Sequence, residues 1–237
     1  MSGTLWGIGI GPGDPELLTV KAARLLGQAR HVIAPVARVK SESLALAIAR
    51  PHLNPQATIH EREFPMTRDQ EQKRARWREA AAHAIALLES GEDVFFPTLG
   101  DPSLYSTWIY LARAVQELSP TAKICTVPGI TSFCAAAAAC GVPLAEEGQI
   151  LTIVPASSDD PEAVRQALRT GPAVLMKVGD RAQGLHQLIG EVGRATTAVL
   201  AVKVGLEGER FLQGDRIAQA MGDSAYLSLL LVPEVQS

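Results

Sequence analysis

Alternate glycines in Gly7-Ile8-Gly9-Ile10-Gly11-Pro12-Gly13, followed at once by Asp14-Pro15-Glu16-Leu17-Leu18-Thr19, are the most chemically suggestive residues of this 237-residue chain. Their chemistry is recognition. Glycine lets backbone approach backbone or ligand where a Cβ would clash. Asp14 is placed as a helix N-cap, Pro15 takes the first helical position, and Glu16 suits the positive end of the helix dipole. A strand, tight turn and helix of this kind at the start of an α/β chain opens a ligand crevice. The alternative is a glycine turn that only packs a helix on a sheet.

Two later segments repeat the pattern. Pro97-Thr98-Leu99-Gly100-Asp101-Pro102-Ser103-Leu104-Tyr105 follows an apolar strand and precedes a helix whose Ile109, Ala112 and Val115 are expected to face inward. Asp101 reads either as a cap for that helix or as a functional carboxylate. Val127-Pro128-Gly129-Ile130-Thr131-Ser132 is again strand, glycine turn and helix. Three such turns at one end of one sheet imply a convergent crevice, which a single motif would not.

A dinucleotide fits poorly. Its fingerprint is G-x-G-x-x-G with an acidic residue about 20 positions later. Here Pro12 breaks the register, and the second strand, Val32-Ile33-Ala34-Pro35, ends without Asp or Glu. No G-x-x-x-x-G-K-[ST] phosphate loop occurs. Nor is there a nucleophile triad or a histidine metal motif: His31, His52, His60, His83 and His186 are scattered, and no protein-held metal is expected. Cys125, Cys134 and Cys140 lie among apolar residues and read as buried, inert thiols.

The elements that must position these turns alternate. Strands are predicted at 4–11, 31–34, 58–62, 93–97 and 123–127, and, in the second half, at 150–154, 173–177, 198–204, 209–213 and 226–232. The 209–213 strand looks antiparallel to its neighbour. A first helix is expected from Pro15 to about Ala29, with Leu18, Ala22, Leu25, Leu26 and Ala29 on one face. A long helix is expected from Thr67 to about Leu88, with Thr67 and Gln70 as a capping box and Trp77, Ala81, Ile85 and Leu88 as its stripe. A strongly apolar helix covers 132–140, and Asp160-Pro161-Glu162 opens another. The expected fold is α/β with two domains, 1–127 and 128–237, the first sheet mostly parallel and the second mixed.

Composition agrees. Hydrophobic residues make up 47% and aromatics 5%, so the core is built of Ala, Val, Leu and Ile, as suits parallel strands. The net charge of −3 gives no support to nucleic-acid or anionic-membrane binding. The most apolar stretch, 133–144, is broken by Gly141 and Pro143 and is too short to span a bilayer. No basic segment precedes the first apolar run, which argues against a signal peptide and favours the cytoplasm.

In order, the three turn motifs closely resemble the tetrapyrrole (corrin and porphyrin) methyltransferases. Within that family, Ser41-Glu42-Ser43-Leu44-Ala45, Ser132-Phe133-Cys134-Ala135-Ala136-Ala137-Ala138, Gly141-Val142-Pro143-Leu144-Ala145-Glu146, Ile153-Val154-Pro155-Ala156, Leu175-Met176-Lys177-Val178-Gly179 and Tyr226-Leu227-Ser228-Leu229-Leu230-Leu231-Val232-Pro233 resemble the precorrin-2 C20-methyltransferase branch. Thr98-Leu99-Gly100-Asp101-Pro102 with Ser132-Phe133-Cys134 looks more like its cobalt-using members.

The resemblance implies S-adenosylmethionine as donor, held in a cleft between the two domains, and an octacarboxylate tetrapyrrole as acceptor. Matching positions assign donor contacts to Leu99, Gly100, Asp101, Leu104, Thr131, Ser132 and Met176, and to Val204 or Gly205. Gly11, Pro12, Gly13 and Asp14, with Arg38 and Lys40, would line the substrate trough. Asp101, Lys177 and Tyr226 are candidates to orient substrate or handle the proton released after transfer. A homodimer is implied. A metal would arrive inside the tetrapyrrole rather than on the protein.

Overall fold

The computed structural model describes residues 3–37, 43–67, 69–156, 161–218 and 227–234. The chain divides into two compact units, Met1–Thr131 and Ser132–Ser237, and the Val127-Pro128-Gly129 turn goes with the first.

In the first unit β1 (Thr4–Gly9), β2 (His31–Val36), β3 (Thr58–Glu63), β4 (Val94–Thr98) and β5 (Lys123–Val127) form one sheet in the order β3-β2-β4-β1-β5. Every pairing is parallel. The helices are α1 (Val20–Leu26), α2 (Leu44–Ala49), α3 (Gln70–Glu89) and α4 (Trp108–Leu118). Leu5, Ile33, Val94 and Phe96 pack with Ala80, Ala81, Ala84 and Leu88 of α3 and with Trp108, Leu111 and Val115 of α4. Their sequence neighbours Ile8, Val32, Ala34 and Phe95 are buried too, so both faces of the sheet are covered. That explains why these strands read as continuous apolar runs without alternation.

In the second unit α5 (Ser132–Cys140), β6 (Thr152–Pro155), α6 (Pro161–Thr170), β7 (Ala173–Met176), α7 (Ala182–Glu191), β8 (Val199–Val202), β9 (Arg210–Gln213) and β10 (Ser228–Val232) follow. The sheet order is β6-β7-β10-β8-β9. β6 and β7 are parallel, whereas β10 runs antiparallel to both β7 and β8, and β9 antiparallel to β8. Val164, Ala167, Leu168, Leu185 and Ile189 from α6 and α7 pack with Leu175, Leu200 and Leu230. The mixed sheet and the antiparallel 209–213 strand are as the sequence led one to expect.

Several local expectations need correction. The helix expected from Pro15 is interrupted. Asp14 caps only a single tight turn, Pro15–Leu17, and accepts from the Glu16 N–H at 2.8 Å. Leu18 and Thr19 are extended (ψ 143° and 148°), and Thr19 caps α1 by accepting from the Ala22 N–H at 3.1 Å. The short turn folds back over the glycines, so a Cβ at Gly11 would lie 3.1 Å from the Leu17 carbonyl oxygen. Asp69, not Thr67, caps α3; its carboxylate accepts from both the Glu71 and the Gln72 N–H. The buried stripe of α4 is Trp108, Leu111, Ala114 and Val115, while Ile109 and Ala112 are half-buried. Trp108 sets that phase by lying where a side chain on Gly7 would otherwise be. Cys134 is exposed and Cys140 half-buried, because α5 turns Phe133, Ala136 and Ala137 inward; Cys125, on β5, is also only half-buried.

Candidate active site

The three glycine turns meet at the carboxyl ends of β1, β4 and β5. The Gly100 N–H donates to the Gly11 carbonyl at 2.7 Å, which joins the first two turns as an isolated antiparallel bridge. Gly129, in the third turn, lies against both. A Cβ on Gly129 would collide with the Gly100 carbonyl oxygen and come within 2.9 Å of Gly9 Cα. A Cβ on Gly9 would come within 2.6 Å of the Gly129 nitrogen. Backbone packs on backbone here, and no other residue type permits the interlock. Gly11 (φ +75°) and Gly100 (φ +65°) also take left-handed conformations that are costly with a Cβ.

Asp101 fastens the second turn to the third. Its Oδ2 accepts from the Gly129 N–H at 3.0 Å, and its Oδ1 accepts from the Ser103 N–H at 2.8 Å and from the Ser103 hydroxyl. It therefore does not cap α4, which begins only at Trp108; there the Ser106 hydroxyl accepts from the Trp108 N–H. Partial burial works to raise the Asp101 pKa, but the hydrogen bonds from Ser103 and Gly129 outweigh it and leave the carboxyl below its ordinary range. Asp101 is thus an anion whose lone pairs are committed to holding loops. Beneath it, buried Thr98 and Ser106 hydroxyls pair at 2.8 Å, and the Trp108 indole donates to Thr126 at 3.1 Å.

One polar atom in this region is unsatisfied. Thr131 Oγ1, at the end of the third turn, is buried and has no hydrogen-bond partner among the described residues. A buried hydroxyl left without a partner costs about 1–3 kcal/mol. A Cβ built on Gly100 would lie 4.0 Å from Thr131 Cα, so this hydroxyl belongs to the turn cluster.

The family model of the tetrapyrrole (corrin/porphyrin) methylases matches residues 4–217, a span that takes in every one of these turns. The chain belongs to the tetrapyrrole methylase family. It is 38% identical over 210 residues to the cobalt-precorrin-2 C(20)-methyltransferase of Salmonella typhimurium, covering 89% of this chain and 87% of that protein. It is 30% identical over 240 residues to the precorrin-2 C(20)-methyltransferase of a Sinorhizobium species, covering 98% and 95%. Among solved structures it resembles the uroporphyrin-III C-methyl transferase of Thermus thermophilus complexed with S-adenyl homocysteine. That match has a TM-score of 0.67 at 21% identity and covers 98% of this chain and 92% of the other.

In this methylase the first unit brings together Gly11, Gly100, Asp101 and Thr131 at the knot, and Pro12, Gly13, Asp14, Leu99 and Leu104 sit on the same turns. In the second unit, Ser132 opens α5. Met176 ends β7, and Val204 and Gly205 follow β8. Met176 and Ala201 both pair with Leu229 of β10, so the ends of β7 and β8 lie level on either side of one strand. Lys177 is exposed just beyond Met176. Arg38, Lys40 and Tyr226 lie outside the described residues.

Two features escaped the sequence reading. Tyr105 (φ 50°), Lys177 (φ 59°) and Lys203 (φ 53°) are left-handed without being glycine, and each follows a strand's carboxyl end. Left-handed backbone costs a residue with a side chain about 1–2 kcal/mol. No local pattern distinguishes such residues in advance. Secondly, His31, His60 and His83 come together from β2, β3 and α3. His31 Nδ1 and His60 Nε2 are 3.1 Å apart, and the His60 and His83 ring centroids are 4.6 Å apart. Only the parallel pairing of β2 with β3, beneath α3, makes neighbours of residues that look scattered along the chain.

Proposed function

We propose that this methylase transfers a methyl group from S-adenosylmethionine to carbon 20 of precorrin-2, in its cobalt-loaded form, during cobalamin biosynthesis. The observation that carries this is the interlocked knot of three glycine turns with an unpartnered Thr131 hydroxyl beside it. The donor's polar groups match it: a hydroxyl can give or accept one hydrogen bond, and exposed backbone at such turns offers more. The relatives named for carbon-20 methylation, similar along nearly the whole chain, support the ring position. Leu99, Gly100, Leu104, Thr131 and Ser132, with Met176, Val204 and Gly205, would hold the donor. Gly11, Pro12, Gly13 and Asp14 would border the acceptor.

The donor's sulfonium supplies an already electrophilic methyl. The protein's task is then alignment and exclusion of water more than base catalysis. Asp101 fits alignment. A carboxylate held below its ordinary pKa by three donors is a weak proton acceptor, so we assign it to positioning the donor turns rather than to removing the proton.

Incubation with carbon-13 methyl donor and either metal-free or cobalt-loaded precorrin-2, followed by NMR, tests both ring position and metal state. Label at carbon 20 with faster turnover on the cobalt form is expected; label at another carbon overturns the assignment. Calorimetry should show S-adenosylhomocysteine binding and no NAD binding. We further propose a cytoplasmic homodimer, in which the exposed Cys134, Ala138 and Ala139 of α5 offer an apolar contact. Light scattering reporting a monomer would remove that part.

A further inference from the structure

Lys177-Val178-Gly179 and Lys203-Val204-Gly205 are the same tripeptide at the same place on two strands. Each begins one residue past a strand end, after Met176 of β7 and Val202 of β8, and β10 runs between. In both, lysine and glycine are left-handed: φ 59° and 56° in the first, 53° and 73° in the second. In both, the valine between them is buried. The start of β10 ties the pair together. The Val178 N–H donates to the Ser228 carbonyl at 3.1 Å, the Gly179 N–H to the Ser228 hydroxyl at 3.1 Å, and the Lys203 N–H to the Leu227 carbonyl at 2.8 Å.

Strands spaced about 4.8 Å apart, with one strand intervening, put the two lysine Cα atoms about 10 Å from each other. The backbone has no need of lysine at either point. Glycine or asparagine adopts this conformation more readily. Residues held in sparsely populated conformations cluster where a side chain has a task. Lys203 lies beside its own loop: a Cβ on Gly208 would meet both its Cδ and its Nζ at an ordinary contact distance of 3.6 Å. Glu209, on the same loop, is occupied in accepting from the Gly205 N–H at 2.6 Å.

We propose that Lys177 and Lys203 form a paired carboxylate-binding site, two ammonium groups carried on twin strained turns. This rests on the methylase function proposed above, whose two substrates both carry carboxylates: the tetrapyrrole has several around its rim, and the donor has one on its methionine part. Two lysines anchored about 10 Å apart at their Cα atoms suit two carboxylates of one polyanion better than the single one of the donor.

Binding of uroporphyrin III, a stable octacarboxylate, is followed by fluorescence, and S-adenosylhomocysteine by calorimetry, for wild type, Lys177→Gln, Lys203→Gln, the double variant and Lys203→Arg. Each single glutamine variant should weaken the ligand it holds about 10-fold, the double variant about 100-fold, and arginine should restore most of the loss at Lys203. The double variant should also show a shallower dependence of affinity on salt. The ligand that loses affinity identifies the carboxylate's source. Wild-type affinity for both ligands in the double variant, with its thermal midpoint intact, overturns the pair and leaves the methylase assignment standing. Failure of the wild type itself to bind either ligand overturns both.

Discussion

The glycine turns of the first unit and the lysine-bearing turns of the second meet the same need with opposite residues. Both reverse the chain sharply at a strand's carboxyl end, and both use left-handed backbone to do so. Around Gly9 and Gly129 the space a side chain would need is filled by neighbouring backbone, so only glycine fits; Gly100 has room for a Cβ, and its left-handed backbone (φ +65°) is what favours glycine there. At Lys177 and Lys203 the backbone conformation is equally demanding, yet a long cationic side chain is present. Steric necessity determines the residue in the first case. In the second the residue is costly to the fold, and its reason lies in what the side chain reaches.

The sharpest way to break this contrast is Gly129→Ala. Its methyl would overlap the Gly100 carbonyl oxygen, and the nearby atoms are all backbone, which cannot swing aside. A loss of stability on the order of 3 kcal/mol is expected, with loss of S-adenosylhomocysteine binding. Gly141→Ala is the matched comparison: Gly141 is left-handed (φ +64°) but has nothing near its Cβ position, so only about 1 kcal/mol should be lost. Urea unfolding of the two variants measures the difference, and equal stabilities would mean that the interlock is not steric.

Next in size is Asp101→Asn, which takes the charge from the link between two turns. Turnover should fall about 10- to 100-fold, the worth of a charge-assisted hydrogen bond. Arg30→Ala should leave turnover unchanged, since Arg30 is exposed and its partner Glu92 is 3.9 Å away. The pH dependence carries a second signature. The folded-state pKa of Asp101 is lowered, so its contribution to stability is fully present above the unfolded value, near 3.8. That contribution is lost as pH falls through the lower folded value. Acid unfolding of Asp101→Asn should lack this part of the transition; an identical acid limb would show that the carboxylate is not what holds the turns.

A smaller effect is expected from Lys177→Gly. Relief of left-handed strain is offset by the greater freedom of glycine in the unfolded chain, so the thermal midpoint should move by no more than about 2 °C. A large drop would mean that the side chain packs structurally and would erase the contrast with the glycine turns.

Much of this organisation was legible in the sequence because it is local. A Gly-rich turn between an apolar strand and a capped helix marks both a loop and its place at the sheet's carboxyl end. The ordered set of three therefore announced the parallel sheet and the convergence of Gly11, Gly100 and Thr131. What escaped was set by tertiary packing. Leu18 and Thr19 could have continued a helix, but the Pro15–Leu17 turn folds over Gly11 first. Asp101 sits where a cap would, yet its partners are Ser103 and a glycine 28 residues away. The left-handed state of Lys203 goes with contacts made by tertiary packing: its N–H donates to the Leu227 carbonyl just before β10, and Val204 after it is buried.

The histidine trio offers the mildest test, because it lies on none of these turns. Burial, together with the neighbouring charges of His83, His31 and Arg62, lowers the His60 pKa; burial, with Arg62 and His31, lowers that of His83. A lowered pKa means that the fold favours the neutral ring. The unfolded chain then binds more protons between the folded value and the ordinary 6.5. Stability is therefore unaffected above pH 6.5 and declines as pH falls below it. His60→Gln should flatten that decline in thermal melts between about pH 7 and pH 5. S-adenosylhomocysteine affinity at neutral pH should stay at the wild-type level, because the substitution leaves Gly100, Asp101 and Gly129 in place. If affinity fell with it, the carboxyl-end turns would be coupled through the sheet to the histidines, and the knot would owe its geometry to more than its own backbone contacts.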